Sequence, residues 1–228
     1  MLDQFQEKIK YSFKDTDLLT QAFTHRSYLN ENKSFKLEHN ERLEFLGDAV
    51  LELVTTEFLY SKYPKKTEGE LTSVRAALVN TVSLASVAHD LDIDAHLLLS
   101  KGEAKDKGRA RGVILANAFE ALVGALYLDG GYKAANKFLK QVLLEKAGEV
   151  VEKNLWQDPK SVLQERAQEF ESITPAYKVI KQIGPDHAKT FTVGVYLGAK
   201  LIGKGSGMSK QEAETEAARA ALFSRKWS

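Results

Sequence analysis

The chain has no cysteine and almost no net charge. The first absence excludes disulfide bonds and thiolate metal sites. There is also no apolar run long enough to suggest a membrane span, and the first ten residues are charged and amphipathic, unlike a signal peptide. We therefore expect a cytoplasmic globular protein with no membrane partner.

The near-neutral total conceals a charge difference along the chain. From Trp156 onward there are 11 Lys and Arg against 8 Asp and Glu, whereas the first 155 residues have 21 against 23. A mildly basic C-terminal part attached to a mildly acidic N-terminal part suits a nucleic-acid-binding module joined to a metal-binding one.

Up to about residue 153 the apolar residues recur at helical spacing, which predicts an all-α N-terminal domain over residues 1–153. Thr67 and Glu70 form a T-x-x-E capping box ahead of one helix. Residues 100–112 are rich in Lys, Arg and Gly and predict an exposed loop.

Two further helices are predicted after that loop. A long apolar helix is expected over about residues 113–128, ended by Asp129, Gly130 and Gly131. Another helix is expected over about residues 132–155.

The period of the sequence changes in the last 70 or so residues. After a short linker at residues 154–157, Asp158 and Pro159 suit the N-cap and first position of a new helix. Three runs with period two then predict strands, and an Ala-rich helix is expected over about residues 209–223. The order α-β-β-β-α predicts a small α+β domain over residues 158–226.

The most informative segment is residues 40–49, with the sequence NERLEFLGDA. Glu41, Glu44 and Asp48 follow at i, i+3 and i+7, so they lie within about 60° of each other on one face of a helix. The flank beside them is apolar: Leu43, Leu46, Val50, Leu51 and Leu53. Carboxylates clustered beside a core repel one another, and a divalent metal is the usual compensation.

Asn117 and Glu120 form a second polar pair on one face of an otherwise apolar helix. A solvated amphipathic helix would explain a single acidic triplet equally well. Two such faces in one chain favour a metal site.

The run Glu-Arg-Leu-Glu-Phe-Leu-Gly-Asp-Ala at residues 41–49 resembles the signature of the ribonuclease III family, whose members cut double-stranded RNA. The similarity extends from Ala-Phe-Thr-His-Arg-Ser-Tyr at residues 22–28 to the C-terminal helix, and the α-β-β-β-α part looks like a double-stranded RNA-binding domain. The resemblance implies an all-α endonuclease domain followed by that RNA-binding domain. It also implies a Mg²⁺-dependent phosphodiester hydrolase that leaves staggered 5′-phosphate ends and processes rRNA and mRNA precursors.

By the same resemblance, Glu44, Asp48, position 117 and Glu120 would hold the metal, with Mn²⁺ as an alternative to Mg²⁺. The family has an aspartate where this chain has Asn117. An asparagine carbonyl can still bind a hard cation, but one charge is lost, so weaker metal binding is expected.

Four acidic residues are the catalytic candidates that the resemblance implies: Glu41, Asp48, Glu68 and Glu120. Glu68 occupies a first helical turn, where a carboxylate also complements the helix dipole. Its role therefore stays open at this point.

Seven residues match RNA-contacting positions of the RNA-binding domain. They lie on its first helix, in the loop between its first two strands and at the start of its last helix: Gln164, Gln168, Gly184, Pro185, His187, Ser209 and Lys210. The loop could also be a plain turn, since Gly-Pro-Asp forms one unaided. Lys210 stands at the positive end of a helix, which suits backbone phosphate, and Gln211 replaces a second lysine common in the family.

Phe45 predicts a homodimer, because the family has its subunit interface at this position and burial beside the acidic face is hard to arrange within one domain. Packing of Phe45 within its own domain is the alternative.

Asn117 motivates a rival function, a duplex-RNA-binding protein with a degenerate catalytic site. A helical scaffold that binds only protein would leave the C-terminal part unexplained.

Overall fold

The computed structural model describes residues 2–105, 108–154, 156–185 and 189–227. Its contacts divide the chain into two units, Met1–Trp156 and Gln157–Ser228. We call them the helical unit and the C-terminal unit. The division falls inside the linker expected at residues 154–157, and the expected domain limits of 153 and 158 stay predictions.

The helical unit is built from the following helices: α1 (Leu2–Ile9), α2 (Thr16–Ala22), α3 (Arg26–Glu31), α4 (Glu41–Lys62), α5 (Glu68–Val79), α6 (Thr81–Asp90), α7 (Arg109–Val142) and α8 (Ala147–Glu152). Short 3₁₀ turns cover Ile93–His96, Glu103–Lys105 and Leu144–Lys146. An isolated parallel bridge joins Thr24 to Leu98.

Helices α4 and α7 form the centre of the helical unit. The core around them includes the fully buried side chains of Phe119, Leu122 and Leu126 from α7 and Leu51 from α4. Leu53 is the exception among the apolar residues expected on the buried flank of α4, because 58% of it is exposed.

Helix α7 is longer than predicted and has a break. It begins at Arg109 and not near residue 113. Arg111, expected in an exposed loop, lies in its first turn and pairs with Asp94 at 2.6 Å. The expected interruption is confirmed: Gly131 has φ +71° and kinks the helix. The prediction of a continuous helix up to residue 155 is wrong. Helix α7 ends at Val142, because Leu143, which is fully buried, leaves the helical conformation.

Helix α7 also has the length and hydropathy of a membrane span over Ala110–Val142. However, 61% of the 18-residue window that meets this test is buried inside the protein. Its apolar character is therefore accounted for by its place in the core.

The C-terminal unit contains α9 (Pro159–Glu171), β1 (Ala176–Ile183), β2 (Thr190–Leu197), β3 (Lys200–Gly207) and α10 (Lys210–Arg225). The strands form an antiparallel sheet in the order β1-β2-β3. The two helices pack against one face, where Leu163, Val195 and Ala217 are fully buried. The predicted order of an all-α part followed by a small α+β part is confirmed.

Candidate active site and RNA-binding surface

The acidic faces of α4 and α7 meet where the two helix backbones touch. A Cβ placed on Gly47 would overlap the carbonyl oxygen of Glu120, and one on Gly124 would overlap that of Leu43. Only glycine allows this approach. Across this contact, the side chain of Asn117 on α7 is close enough to Glu44 on α4 to lower the pKa of that carboxyl group.

Glu120 carries the strongest electrostatic signature of this site. Burial raises its pKa to about 7, and the negative charges of Asp48 and Glu44 act in the same direction. A carboxyl group with this pKa is part protonated near neutral pH. Glu120, Asp48 and Glu44 therefore lie close enough to repel one another.

Glu44 is subject to opposing influences. Burial raises its pKa, and the charges of Glu41 and Asp48 raise it further, whereas the hydrogen bond from Asn117 favours the ionised form and lowers it. Within the described residues, no positively charged side chain offsets the excess negative charge on Glu44 or Glu120. We call Glu44, Asp48, Asn117 and Glu120 the acidic cluster.

The acidic cluster fits a hard divalent cation in ligand type and in charge. It offers three carboxylates and one amide carbonyl, and a bound cation would relieve the repulsion that raises the pKa of Glu120. In the part of the chain that the structure describes, no group of three or more Asp, Glu or His side chains is already arranged as a metal cage.

Glu41 and Glu68 have different surroundings. Glu41 is the first residue of α4 and pairs with Arg26 at 3.3 Å, and its charge acts on Glu44, so it borders the acidic cluster. Glu68 is exposed on the first turn of α5 and accepts a hydrogen bond from Thr72. Its charge is not among those that shift the pKa of Glu44 or Glu120, and the structure does not bring it into the cluster.

Asn40 anchors the start of α4, a role that sequence reasoning missed. Its side chain is 2% exposed and donates to the carbonyl of Ala22, while its backbone N–H donates to Thr24. His25 caps α3 by accepting from the N–H of Ser27. The segment at residues 22–28 thus holds the first turn of α4, and with it Glu41 and Glu44, in place. The available signal was the asparagine directly before the acidic run.

Phe45 does not pack into its own unit, because 82% of it is exposed. Leu53 and Tyr60 follow it on α4 and are 58% and 74% exposed. At roughly 100° per residue the three side chains lie on one side of the helix. They form an exposed apolar stripe beside the acidic cluster.

The expected RNA-contacting residues of the C-terminal unit are exposed wherever they are described. Gln164 and Gln168 lie one turn apart on α9 and line a shallow cavity of about 610 Å³. Gly184 has φ +104° in the β1–β2 loop and is followed by Pro185. His187 lies outside the described residues.

At the start of α10, Ser209 is the N-cap and its hydroxyl accepts from the N–H of Glu212 at 3.1 Å. The Glu212 carboxylate accepts in return from the N–H of Met208 at 2.8 Å, one residue before the N-cap, so the reciprocal bond of a capping box is shifted by one residue. Lys210 is exposed in the first turn. By contrast, the capping box at Thr67 and Glu70 is complete.

Comparisons with known proteins match both units of the chain to described families. A family model described as "Ribonuclease-III-like" matches residues 15–147, and one described as "Double-stranded RNA binding motif" matches residues 159–223. Ribonuclease 3 of Bacillus licheniformis is 48% identical over 219 residues, which cover 96% of this chain and 88% of that protein. Ribonuclease 3 of Borreliella afzelii is 45% identical over 221 residues, covering 97% and 90%.

A solved nuclease domain of ribonuclease III from Campylobacter jejuni is 39% identical, with a TM-score of 0.58, and covers 64% of this chain and 97% of that one. The acidic run NERLEFLGDA lies within residues 15–147, the part that the family model matches, as do Asn117 and Glu120. The chain therefore belongs to the ribonuclease III family and carries a double-stranded RNA-binding domain after its helical nuclease domain.

Proposed function

We propose that this protein is a divalent-metal-dependent endoribonuclease that cuts double-stranded RNA at the acidic cluster. One observation carries the assignment of the site: Glu120 has a pKa of about 7 because it lies half-buried beside two other carboxylates. Strongly shifted pKa values of this kind are expected at sites that bind a ligand. Family membership supports the endoribonuclease activity and the duplex substrate.

Glu44, Asp48, Glu120 and the amide oxygen of Asn117 would hold the cation, with Mg²⁺ proposed first and Mn²⁺ second. When bound, the cation supplies a water activated near neutral pH and neutralises charge on the phosphate. The protein's own contribution is to position these oxygens. Gly47 and Gly124 bring the helices together, and the amide of Asn117 favours the ionised form of Glu44.

Glu41 borders the cluster and is proposed to act on the substrate side of it, held by Arg26. Glu68 is proposed to contribute to catalysis from α5, although it lies away from the four cluster residues of the same chain. This assignment rests on the family match alone.

The C-terminal unit is proposed to grip the duplex. The amide groups of Gln164 and Gln168 suit ribose 2′-hydroxyls, and Ser209 and Lys210 at the N-terminus of α10 suit a backbone phosphate. Gly184, Pro185 and His187 are proposed to enter the minor groove with the β1–β2 loop.

We also propose a homodimer joined through α4. The exposed stripe of Phe45, Leu53 and Tyr60 supports it, since apolar side chains of this size are seldom left together in water. The solved domain from Campylobacter jejuni is described as having a region involved in dimer formation. Two clusters brought together by such a dimer could each cut one strand and leave staggered 5′-phosphate ends, as expected for a processor of rRNA and mRNA precursors.

The rival function, duplex binding without cleavage, rests on the neutral side chain of Asn117. It is not favoured, because the other three members of the cluster are carboxylates. The deciding experiment incubates the protein with a long RNA duplex, with and without Mg²⁺, beside the Glu120→Gln variant. Metal-dependent fragments from the parent protein and none from the variant are expected. Intact RNA in every lane, with the RNA still bound, would establish the rival function.

A further inference from the structure

A second charged surface lies at the far end of α4, and its charge is positive. A cavity of about 390 Å³ is lined by Lys62 from α4 and by Lys137 and Lys140 from α7, with Phe58 and Leu144 as apolar neighbours. One carboxylate, Glu145, shares the lining. Three lysines thus line one concave surface.

Within the described residues, none of these three lysines forms an ion pair. Other lysines of the helical unit do: Lys146 pairs with Asp90 at 3.2 Å and Lys153 with Glu149 at 2.7 Å. The ammonium of Lys62 lies 5.0 Å from the ring centroid of Phe58 and 5.7 Å from that of Tyr63, which fixes its direction without neutralising it.

Helix dipoles explain part of this arrangement. Lys62 and Lys140 lie in the last turns of α4 and α7, where a positive charge is favourable. Lys137 stands a turn earlier on α7, and the dipole effect decays within the last turn. The dipole also gives no reason for lysines of two helices to line one cavity.

The position of Lys62 relates this cavity to the acidic cluster. Lys62 follows Glu44 by 18 residues, which is five helical turns, so the two side chains leave α4 on the same side. At 1.5 Å per residue they are about 27 Å apart along the axis. Leu51 and Thr55 lie between them on that side and are buried, so a bound polyanion could contact both ends of α4 only across this covered stretch.

We propose that Lys62, Lys137 and Lys140 form a phosphate-binding surface for the backbone of the duplex beyond the cleavage site. The proposal rests on the function proposed above. Ammonium groups suit this task because they bind phosphate as point charges and read no sequence. The contact would extend the grip on the RNA to the helical unit and favour long duplexes over short ones.

The test compares two double variants of the full chain that lose the same charge. Lys137→Gln with Lys140→Gln removes two of the three cavity lysines, and Lys146→Gln with Lys153→Gln removes two ion-paired lysines of the same unit. Duplex binding is measured in EDTA over a range of salt concentrations. Each lost phosphate contact lowers the salt slope by about 1, so the cavity variant should lose about 2 and the control should keep the parent slope.

Amine acetylation followed by mass spectrometry gives a second readout. Bound duplex should protect Lys62, Lys137 and Lys140 in the parent protein, and Lys146 and Lys153 should react equally with and without RNA. Equal salt slopes for both variants, or no protection of the cavity lysines, would overturn the proposal. If the parent itself neither bound nor cut the duplex, the proposed function would fail first, and the two failures are thereby distinct.

Discussion

The side chain of Asn117 on α7 lies close enough to Glu44 on α4 to lower the pKa of that carboxyl group. Its polar amide favours the ionised form of Glu44. An ionised aspartate at the same position would favour the protonated form instead. Asn117 thus replaces a fourth negative charge with a neutral group that favours the charge on Glu44.

Asn117→Asp should strengthen cation binding and lower the Mg²⁺ concentration needed for half-maximal cleavage, because a carboxylate is a better ligand for a hard cation than an amide. Without a cation, the added repulsion should lower the melting temperature. The measurements are calorimetric titration with Mg²⁺ and thermal melts in EDTA and in Mg²⁺. An unchanged or higher Mg²⁺ requirement would show that residue 117 is not a ligand.

Glu120 should make stability depend on pH when no cation is present. Its pKa in the folded protein is about 7 against an ordinary 4.5, so the folded state holds more protons between these values and the free energy of unfolding falls as pH rises through that window. Allowing for solvent screening, the loss should be about 1–2 kcal/mol. Glu120→Gln should remove it, and so should saturating Mg²⁺. Parallel curves for parent and Glu120→Gln from pH 5 to 8 in EDTA would contradict the assignment.

Local sequence rules predicted the parts of this protein that depend on neighbouring residues. The cap at Thr67, the break at Gly131 and the start of α9 at Pro159 follow from nearby side chains, and the structure has all three. The acidic faces of α4 and α7 were equally visible, since helical spacing alone defines them.

Features that depend on distant parts of the chain could not be predicted in this way. Leu53 fits an apolar flank by spacing, but 58% of it is exposed. Glu68 matches an acidic position, yet its place on α5 keeps it out of the cluster. The end of α7 at Val142, where Leu143 leaves the helical conformation, is not marked by any change in the helical period.

Gly124→Ala should separate the two acidic faces, because the added Cβ would overlap the carbonyl oxygen of Leu43. Overpacking of this kind costs about 1–3 kcal/mol of stability. Cation affinity should fall as well, since the cluster draws its ligands from both helices.

Gly112→Ala is the control on the same helix: its Cβ would meet nothing within 4 Å, so stability should stay level or rise by about 1 kcal/mol. Denaturant unfolding and Mg²⁺ calorimetry would measure both effects, and equal behaviour of the two variants would show that the glycine contact does not set the site.

Phe45→Glu should convert the proposed homodimer into a monomer. Phe45 is 82% exposed on the acidic helix α4, and burying it against a second copy would remove a large aromatic surface from water. A glutamate there would add a charge beside Glu41, Glu44 and Asp48 in both subunits.

Phe223, also 82% exposed but on α10 of the C-terminal unit, provides a matched control, and Phe223→Glu should leave the assembly intact. Light scattering at micromolar concentration should give a dimeric mass for the parent and for Phe223→Glu, and a monomeric mass for Phe45→Glu. A monomeric parent, or a Phe45→Glu variant that stays dimeric, would show that α4 is not the interface.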